Sequence, residues 1–333
     1  MDKKRVVVVG GGTGTHTVLR GLRPYSDQLD ITAVVSMSDS GGSTGRLRDE
    51  FGRLPIGDIR NALTALAADG DEHDKLLRQL FSYRFDRGQG LAGHNFGNLL
   101  LTALTEILGD EVKAIEATSR ILRVSGRVVP VTTDNNDLVA EYEDGTIIKG
   151  EDDIDRLRTD NAPHRIVRLL QSPVVKITES AKKTLLEADL VVLGPGDLYT
   201  SVLANCIVGG FAEALQQSRA TVVYVCNLMS KQGQTVGMNA KEHIDEIIKY
   251  IGRNIDIAIV NNTSLSQGLL KKYASKGDYP ILNNCSNDVA YKVCAESLVA
   301  DEEIKQVAGD ALKRSLIRHD PDKLAAILLQ ILN

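Results

Sequence analysis

The fold is decided near the start of the chain, where residues 6–22 read VVVVGGGTGTHTVLRGL. Four consecutive valines, Val6–Val9, predict a strand that is buried on both faces, because a strand with one solvated face would alternate apolar and polar residues. Glycines follow at once, and Thr15–Leu22 then carries apolar residues at helical spacing. A buried strand, a glycine-rich turn and a helix in this order predict the first unit of a parallel α/β sheet.

Short apolar runs alternate with helix-like segments along most of the chain. The other predicted buried strands are Ile31–Met37, Leu190–Gly194, Thr221–Cys226 and Asp256–Val260. The other predicted helices are Ile59–Ala68, Lys75–Phe81, Gly97–Leu108, Val112–Leu122, Val208–Gln217, Lys241–Gly252, Leu265–Ala274 and Pro321–Leu332. We therefore expect an α/β protein with a Rossmann-like, doubly wound, mainly parallel sheet in a three-layer α/β/α arrangement.

The pattern changes between residues 126 and 178. Four short strands are predicted there: Arg127–Val131, Leu138–Tyr142, Thr146–Gly150 and Arg165–Leu170. Glu143-Asp144-Gly145 supplies the turn of a hairpin, and Glu151–Pro163 is polar and predicted as a loop. We expect a small β-rich insertion over 126–178. It would divide the nucleotide-binding core into a first half at 1–125 and a second half, with C-terminal helices, at 179–333.

Composition narrows the class of protein. The chain has 333 residues, of which 43% are apolar and 25% charged, as in soluble globular proteins. Its formal net charge of -5 argues against non-specific nucleic-acid binding, which needs a basic surface. Four cysteines have no zinc-site spacing, and no apolar run approaches the ~20 residues of a membrane span. We expect a cytoplasmic protein with reduced thiols and no membrane span.

Small polar residues and glycines follow each of the five buried strands. In a doubly wound sheet, ligands bind just beyond the carboxyl ends of the strands. The residues found there are Gly10, Gly11, Gly12, Thr13, Gly14, Thr15, Asp39, Gly41, Gly42, Ser43, Gly194, Pro195, Gly196, Asn227 and Asn262. This convergence predicts a site for a phosphate-bearing nucleotide.

The first two loops have the chemistry of phosphate sites. Glycine lets the backbone approach a phosphate, and the following helix offers unpaired N–H groups at its positive end. Thr15 stands where the dinucleotide fingerprint expects glycine or alanine, so a purely structural β–α turn is the alternative. Gly41–Gly45 is followed by Arg46, and hydroxyls, bare backbone and guanidinium together make an anion cradle. The alternative there is a surface loop with solvated arginines.

Two aspartates are candidate metal or ribose ligands. Asp39 directly follows a buried strand, where an acid can hold a ribose hydroxyl or a Mg²⁺ that bridges phosphates. Asp58 opens the helix at Ile59–Ala68 and is equally compatible with a helix N-cap. Arg60 and Asn61 would face the same crevice if that helix start points towards it.

Gly93-His94-Asn95-Phe96-Gly97-Asn98 precedes a strongly apolar helix. Small polar groups at a helix start face outward, so His94, Asn95 and Asn98 could contact a sugar or a base. A single histidine is more often structural than catalytic. The chain has no nucleophile elbow and no Walker motif.

Five motifs occur in an order that resembles the 2-phospho-L-lactate transferase (CofD)-like superfamily. They are GGGTGTHTVLRGL (10–22), SDSGGSTGRLR (38–48), GDIRNAL (57–63), GHNFGNLLLTAL (93–104) and GPGDLYTSVLAN (194–205). The likeness runs from Val6 to about Asn262 and is greatest to the YvcK-type gluconeogenesis factors. It implies a Rossmann-like core with a nucleotide crevice, to which the last motif adds Tyr199, Thr200 and Ser201.

The resemblance implies two functions. YvcK-type proteins bind UDP-sugars and are tied to carbon metabolism and to cell-wall growth or cell shape, which would make this chain a nucleotide-sugar-binding regulator with regulatory protein partners. The transferase branch moves a phospho-lactyl-type group from a guanosine nucleotide to a deazaflavin with Mg²⁺, and would place Asp39 and Asp58 as metal ligands. An NAD(P)-dependent oxidoreductase is a third reading that the fold alone permits. A homodimer is the oligomer expected by default.

Two departures from the family pattern weaken the transferase reading. Members commonly show two adjacent aspartates where this chain has Asp39-Ser40, so one carboxylate is missing at the expected metal position. The family loop often reads G-P-G-S, and here Asp197 replaces the serine. A carboxylate in that loop would repel a phosphate unless a metal lies between them.

Overall fold

The structure is a computed structural model that describes residues 2–38, 40–52, 54–157, 165–285, 290–300 and 317–333. The strands, numbered in chain order, are β1 (Lys4–Gly10), β2 (Leu29–Val35), β3 (Arg127–Pro130), β4 (Asp137–Tyr142), β5 (Ile147–Lys149), β6 (Ile166–Ser172), β7 (Leu190–Leu193), β8 (Thr221–Val225), β9 (Ile257–Asn261) and β10 (Lys292–Glu296). Most of them coincide with the predicted runs, because continuous Val, Ile and Leu segments mark strands buried on both faces.

The helices lie between these strands. They are α1 (Gly12–Leu22), α2 (Gly42–Phe51), α3 (Gly57–Leu66), α4 (Glu72–Ser82), α5 (Phe96–Leu108), α6 (Glu111–Ile121), α7 (Glu151–Arg156), α8 (Glu179–Glu187), α9 (Ala204–Cys206), α10 (Phe211–Gln217), α11 (Ala240–Ile251), α12 (Gln267–Ala274) and α13 (Pro321–Leu332). A π-helical segment, Leu198–Leu203, leads directly into α9. None of the helices in the described ranges is long and apolar enough to cross a membrane.

Seven of the described strands form one parallel sheet in the order β10-β9-β8-β7-β1-β2-β3. The chain runs outward from β1 to β3 on one side, and then from β7 to β10 on the other. This is the doubly wound α/β fold that the alternation of strands and helices predicts. The switch between the two directions lies between β1 and β7, which pair in register from Val6–Leu190 to Val9–Leu193.

Two apolar cores cover the two faces of this sheet. Successive residues of β1 point to opposite faces, so Val6 and Val8 enter one core while Val7 and Val9 enter the other. Helices α1, α3 and α13 supply the first core, and α8, α10 and α11 supply the second. α13 can approach α1 closely because Gly21 has no side chain: a Cβ there would lie 2.1 Å from the carbonyl oxygen of Pro321.

The strands predicted between residues 126 and 178 belong to two different sheets. β3 pairs in parallel with β2 and forms an edge of the large sheet, because the preceding helix α6 is the crossover that a parallel strand requires. The separate antiparallel sheet has the order β5-β4-β6. Its central strand turns Leu138, Ala140 and Tyr142 into the second core.

Residues 151–156, predicted as a loop, form helix α7. Its first turn carries Glu151, Asp152 and Asp153, which favour the positive end of a helix. The left-handed backbone of Gly150, with φ +104, ends β5 and starts the helix. The polar residues that led to the prediction of a loop are therefore residues that stabilise the start of a helix.

Candidate functional site

Two glycine loops meet at the switch point of the sheet. The first follows β1 at Gly10–Thr15, and the second follows β7 at Gly194–Asp197. They touch so closely that a Cβ on Gly14 would lie 2.1 Å from the carbonyl oxygen of Pro195. Gly196 also lies close to the first loop, since its Cβ would be 3.5 Å from the carbonyl oxygen of Gly11. The structure thus brings the predicted loops after β1 and β7 together at the place where doubly wound sheets bind ligands.

The first loop turns sharply into α1. Gly10 and Gly12 have φ values of +154 and +63, which a residue with a side chain rarely adopts. The N-cap of α1, Gly11, makes no side-chain capping bond. The first N–H groups of α1 have no acceptor within the helix and lie at the positive end of its dipole, and the first of them, that of Gly12, is bound by a carboxylate of the protein. This geometry suits an anion such as phosphate.

Asp58 holds this loop in place from the neighbouring helix α3. Its Oδ1 accepts the backbone N–H of Gly12 at 2.7 Å, and a Cβ on Gly11 would come 2.1 Å from its Oδ2. The N-cap of α3 is Ile56, not Asp58. The sequence suggested that Asp58 is either a helix N-cap or a metal or ribose ligand, and this contact is neither. A hydrogen bond to a loop 46 residues earlier in the chain leaves no pattern in the neighbouring sequence.

The other two polar residues at the start of α3 are engaged with the protein. The Arg60 guanidinium donates to the side-chain oxygen of Asn61 at 2.8 Å. The carbonyl oxygen of Asn61 lies 3.2 Å from Nδ1 of His16 in α1. These contacts tie α3 to α1 beneath the first loop.

The segment after β2 is a helix start where the sequence predicted a loop. α2 begins at Gly42, and its residues Ser43 and Thr44 are buried. Gly45 lets this helix fold over the preceding backbone, since a Cβ there would lie 2.2 Å from the carbonyl oxygen of Ser40. Ser40 in turn accepts the N–H of Asp152 at 3.0 Å, which docks the segment on α7.

Ser43 joins three of the predicted site residues in a buried network. Its hydroxyl lies 3.1 Å from Nδ1 of His94, and it accepts the Asn95 backbone N–H at 3.3 Å and the Asn98 amide at 3.4 Å. Burial, together with the nearby Arg46 charge, holds the pKa of His94 below its usual value. His94 is therefore neutral at pH 7, and the network orients α2 against the start of α5.

The two arginines of α2 differ in their surroundings. Arg46 is exposed and donates to the carbonyl oxygen of Ala92 at 3.0 Å. Arg48 forms an ion pair of 2.5 Å with Asp137 at the start of β4, and Lys149 of β5 lies 3.3 Å from the same carboxyl group. Burial acts to raise the pKa of Asp137, but these two cations outweigh it and hold the pKa below its usual value. Arg46 thus stays at the surface, while Arg48 ties α2 to the small sheet.

A cluster of charges lies beside the second loop. The ammonium of Lys231, in the segment after β8, contacts the carboxylates of Asp197 and of Asp155 in α7. Gln234 and Thr200 donate to the same Asp155 oxygen at 3.1 and 3.3 Å. Burial works against the charged lysine, but the two carboxylates more than compensate and raise the pKa of Lys231 above its usual value.

The cation beside Asp197 is the side chain of Lys231, whereas the sequence suggested a metal in this position. The sequence marked Asp197 only as a departure from the family pattern, and three further members, Asp155, Lys231 and Gln234, were not among the predicted site residues. They lie in polar segments without a motif, and their partners are 34 to 79 residues away in the chain. The one signal in the sequence was the unusual acid at Asp197, and it pointed to a metal rather than to a lysine.

Several polar oxygens around the two loops are buried without a hydrogen-bond partner among the described residues. They are Oγ1 of Thr15, Oδ1 of Asn205 and Oδ1 of Asn227. The amide of Asn205 donates to the carbonyl oxygens of Gly10 at 3.3 Å and Ser201 at 2.8 Å, so it links the two loops. Buried polar atoms in folded proteins are nearly always paired, so unpaired ones call for a water or a ligand. Sequence reasoning missed Asn205, which closes the family motif at 194–205.

The remaining predicted residues lie in different places. Ser201 lies next to the first loop, 3.8 Å from the position of a Cβ on Gly12. Tyr199 points towards the small sheet and donates to the carbonyl oxygen of Ile166 at 2.9 Å. Asn262 donates to the carbonyl oxygen of Ala295 at 3.0 Å and so belongs to the β9–β10 edge. Asp39 lies outside the described residues.

The described ranges contain no group of three or more His, Cys, Asp or Glu side chains arranged to hold a metal ion. Asp58 has one carboxylate oxygen committed to the Gly12 N–H. Ser40, at the position where the family commonly has a second aspartate, has a hydroxyl that accepts the Asp152 N–H. Asp58 and Ser40 therefore do not complete a set of Mg²⁺ ligands among the described residues, which do not include Asp39.

The sequence matches a family model and several known proteins over nearly its whole length. The family model described as 2-phospho-L-lactate transferase CofD matches residues 6–299. A protein of Aquifex aeolicus is 41% identical over 338 residues, covering 100% of this chain and 98% of that protein. The protein of Bacillus subtilis called Gluconeogenesis factor is 35% identical, with 99% of each chain covered.

A solved structure agrees over the whole chain. The crystal structure of a UPF0052 family protein from Bacillus halodurans superposes with a TM-score of 0.87 at 36% sequence identity, covering 99% of both chains. The overall fold is therefore shared with an experimentally determined structure.

Proposed function

We propose that this chain, which belongs to the CofD family, binds a UDP-sugar at the carboxyl edge of the sheet where its two glycine loops meet, and acts as a regulatory protein. The observation that carries the proposal is the contact of the two loops at the switch point, where Gly14 packs against the Pro195 carbonyl. Only glycine fits there, so the start of α1 lies in direct backbone contact with the loop after β7. Bare backbone at a helix start is the element that binds a diphosphate.

The polar groups around the loops support a nucleotide ligand. The first turn of α1 offers N–H groups, and Arg46, which the sequence predicts to bind a phosphate, is exposed on α2. The unpaired oxygens of Thr15, Asn205 and Asn227 are acceptors for sugar or base N–H and O–H groups. These groups are complementary to the phosphates and to the N–H and O–H donors of a nucleotide sugar, which supports the proposal.

The regulatory part of the proposal rests on the relatives. Proteins of Bacillus subtilis and Halalkalibacterium halodurans, 35% and 38% identical to this chain, are called Gluconeogenesis factor. In the proposed role, the protein binds a nucleotide sugar and, in response to its concentration, regulates carbon metabolism and cell-wall growth or cell shape. No catalytic step is required of the residues in the crevice.

The alternative is the transferase activity in the description of the family model. It is a Mg²⁺-dependent transfer of a phospho-lactyl-type group from a guanosine nucleotide to a deazaflavin. The two functions differ in base and in metal requirement, so one titration distinguishes them.

The test is calorimetric titration with UDP-glucose, GDP and NADPH, each with Mg²⁺ and with EDTA. We expect UDP-glucose to bind in both conditions. In an unfolding experiment, UDP-glucose at 100 times its Kd should add ~2.7 kcal/mol to the free energy of unfolding. Guanosine preference with strict Mg²⁺ dependence would instead establish the transferase reading. NADPH binding alone would favour an oxidoreductase.

A further inference from the structure

The charged cluster beside the second loop is built from three separate parts of the chain. Asp155 comes from α7, Asp197 from the loop after β7, and Lys231 from the segment after β8. The Lys231 side chain is only 14% exposed, while those of Asp155 and Asp197 are 34% and 39% exposed. The ammonium therefore lies under two carboxylates that reach the solvent.

Gln234 is an independent sign that this cluster meets a ligand. Its side chain is fully buried at 0% exposure, and its amide donates to Asp155 at 3.1 Å. Its Oε1 has no hydrogen-bond partner among the described residues. A buried amide oxygen that is left unpaired costs free energy, so the arrangement is complete only when a donor reaches it.

The cluster is adjacent to the glycine loops. Asp197 directly follows Gly196, which packs on the backbone of Gly11. The carbonyl oxygen of Asp197 accepts the N–H of Ser201 at 3.0 Å, and Ser201 lies beside Gly12. A ligand with its phosphates on the first loop would extend past this turn to reach the three charged groups.

We infer that Asp155, Asp197, Lys231 and Gln234 form the subsite for the sugar ring of the bound nucleotide sugar, an inference that rests on the proposed function. Carboxylate oxygens and the Gln234 Oε1 accept hydrogen bonds from hydroxyl groups, and the third N–H of the lysine donates one. A polyol offers both donors and acceptors, so it matches this mixed set.

Charge makes the subsite selective. Two carboxylates surround one ammonium, which leaves one negative charge in excess. A neutral sugar ring suits this environment, whereas a sugar with its own carboxylate is repelled by the excess charge. The subsite thus selects neutral sugars over uronic acids.

The experiment compares UDP, UDP-glucose and UDP-glucuronate by calorimetry on the wild type and on two separate variants, Asp155→Asn and Asp197→Asn. In the wild type we expect UDP-glucose to bind at least ~10-fold more tightly than UDP, the gain from one or two hydrogen bonds to charged groups. Each variant should leave the Kd of UDP unchanged and reduce the ratio of the Kd of UDP to the Kd of UDP-glucose. It should also bring the Kd of UDP-glucuronate closer to that of UDP-glucose.

The control is Asp245→Asn, which removes the exposed ion pair of Asp245 with Lys241 on α11 and should change none of the three affinities. Using two single variants covers the case in which one of them fails to fold. If UDP binds but the advantage of UDP-glucose is the same in the wild type and the folded variants, the subsite is overturned while the proposed function stands. If neither UDP nor UDP-glucose binds, both are overturned.

Discussion

Asp58 and Gly12 are joined by a hydrogen bond of 2.7 Å between the carboxylate and the backbone N–H, which anchors the first glycine loop to α3. Hydrogen bonds to charged groups contribute ~1.5–3 kcal/mol, so we expect Asp58→Ala to lower the free energy of unfolding by that amount. Asp58→Asn keeps one acceptor oxygen and should lose less. Urea unfolding measures both variants, and an equal loss in both would show that hydrogen bonding by the side chain is not what matters.

Gly14 has no room for a side chain. We expect Gly14→Ala to destabilise the protein by ~1–3 kcal/mol and to weaken UDP-glucose binding, because the new methyl would force the loop after β1 away from Pro195. The matched control is Gly268→Ala in α12, where a Cβ meets nothing within 4 Å. Alanine there should be neutral or stabilising by up to ~1 kcal/mol. Equal stability of the two variants in thermal unfolding would disprove the close contact.

Arg46 is an exposed arginine in α2, close to the glycine-rich start of that helix in the sequence. We expect Arg46→Lys to weaken UDP-glucose binding by ~1.5–3 kcal/mol, since lysine keeps the charge but loses the planar pair of donors that fits a phosphate. Arg20→Lys, an exposed change in the last turn of α1, serves as control. Calorimetry that gives the same affinity for wild type, variant and control would remove Arg46 from the site.

Two buried histidines predict a loss of stability in acid. Burial lowers the pKa of His243 to about 4, against a small opposing effect of Glu242. It also lowers the pKa of His319 to about 4, although His319 bonds the carbonyl oxygen of Cys226. In the unfolded chain a histidine has a pKa near ~6.5, so between pH 6.5 and 4 the unfolded state binds more protons than the folded state.

Stability should therefore fall as the pH decreases, by about 1–2 kcal/mol for each of these histidines between pH 7.5 and 5.5. The measurement is urea unfolding at the two pH values. His243→Gln, which keeps a hydrogen-bonding group near the Tyr224 hydroxyl but cannot titrate, should show a smaller decrease. His73→Gln, an exposed change in α4, should show the wild-type decrease. The same pH dependence in all three proteins would contradict this assignment.

Much of the fold follows from local sequence. Runs such as Val6–Val9 become central strands because only a strand with both faces covered can consist of apolar residues throughout. The glycines after β1 and β7 likewise mark loops at the carboxyl edge, since helical and extended residues seldom need so much backbone freedom. The sequence failed where composition was ambiguous, as in Glu151–Arg156, where acidic residues suit a helix start as well as a loop.

The sequence by itself determined the parallel α/β sheet and the two glycine loops, because apolar periodicity and glycine act over a few neighbouring residues. The tertiary structure alone decided that Asp58 holds Gly12, that Ser43 joins His94, and that Lys231 neutralises Asp197. These partners are separated by 46, 51 and 34 residues, respectively. A hydrogen bond or ion pair depends on distances of about 3 Å, and only the packing of helices on the sheet brings such distant groups that close.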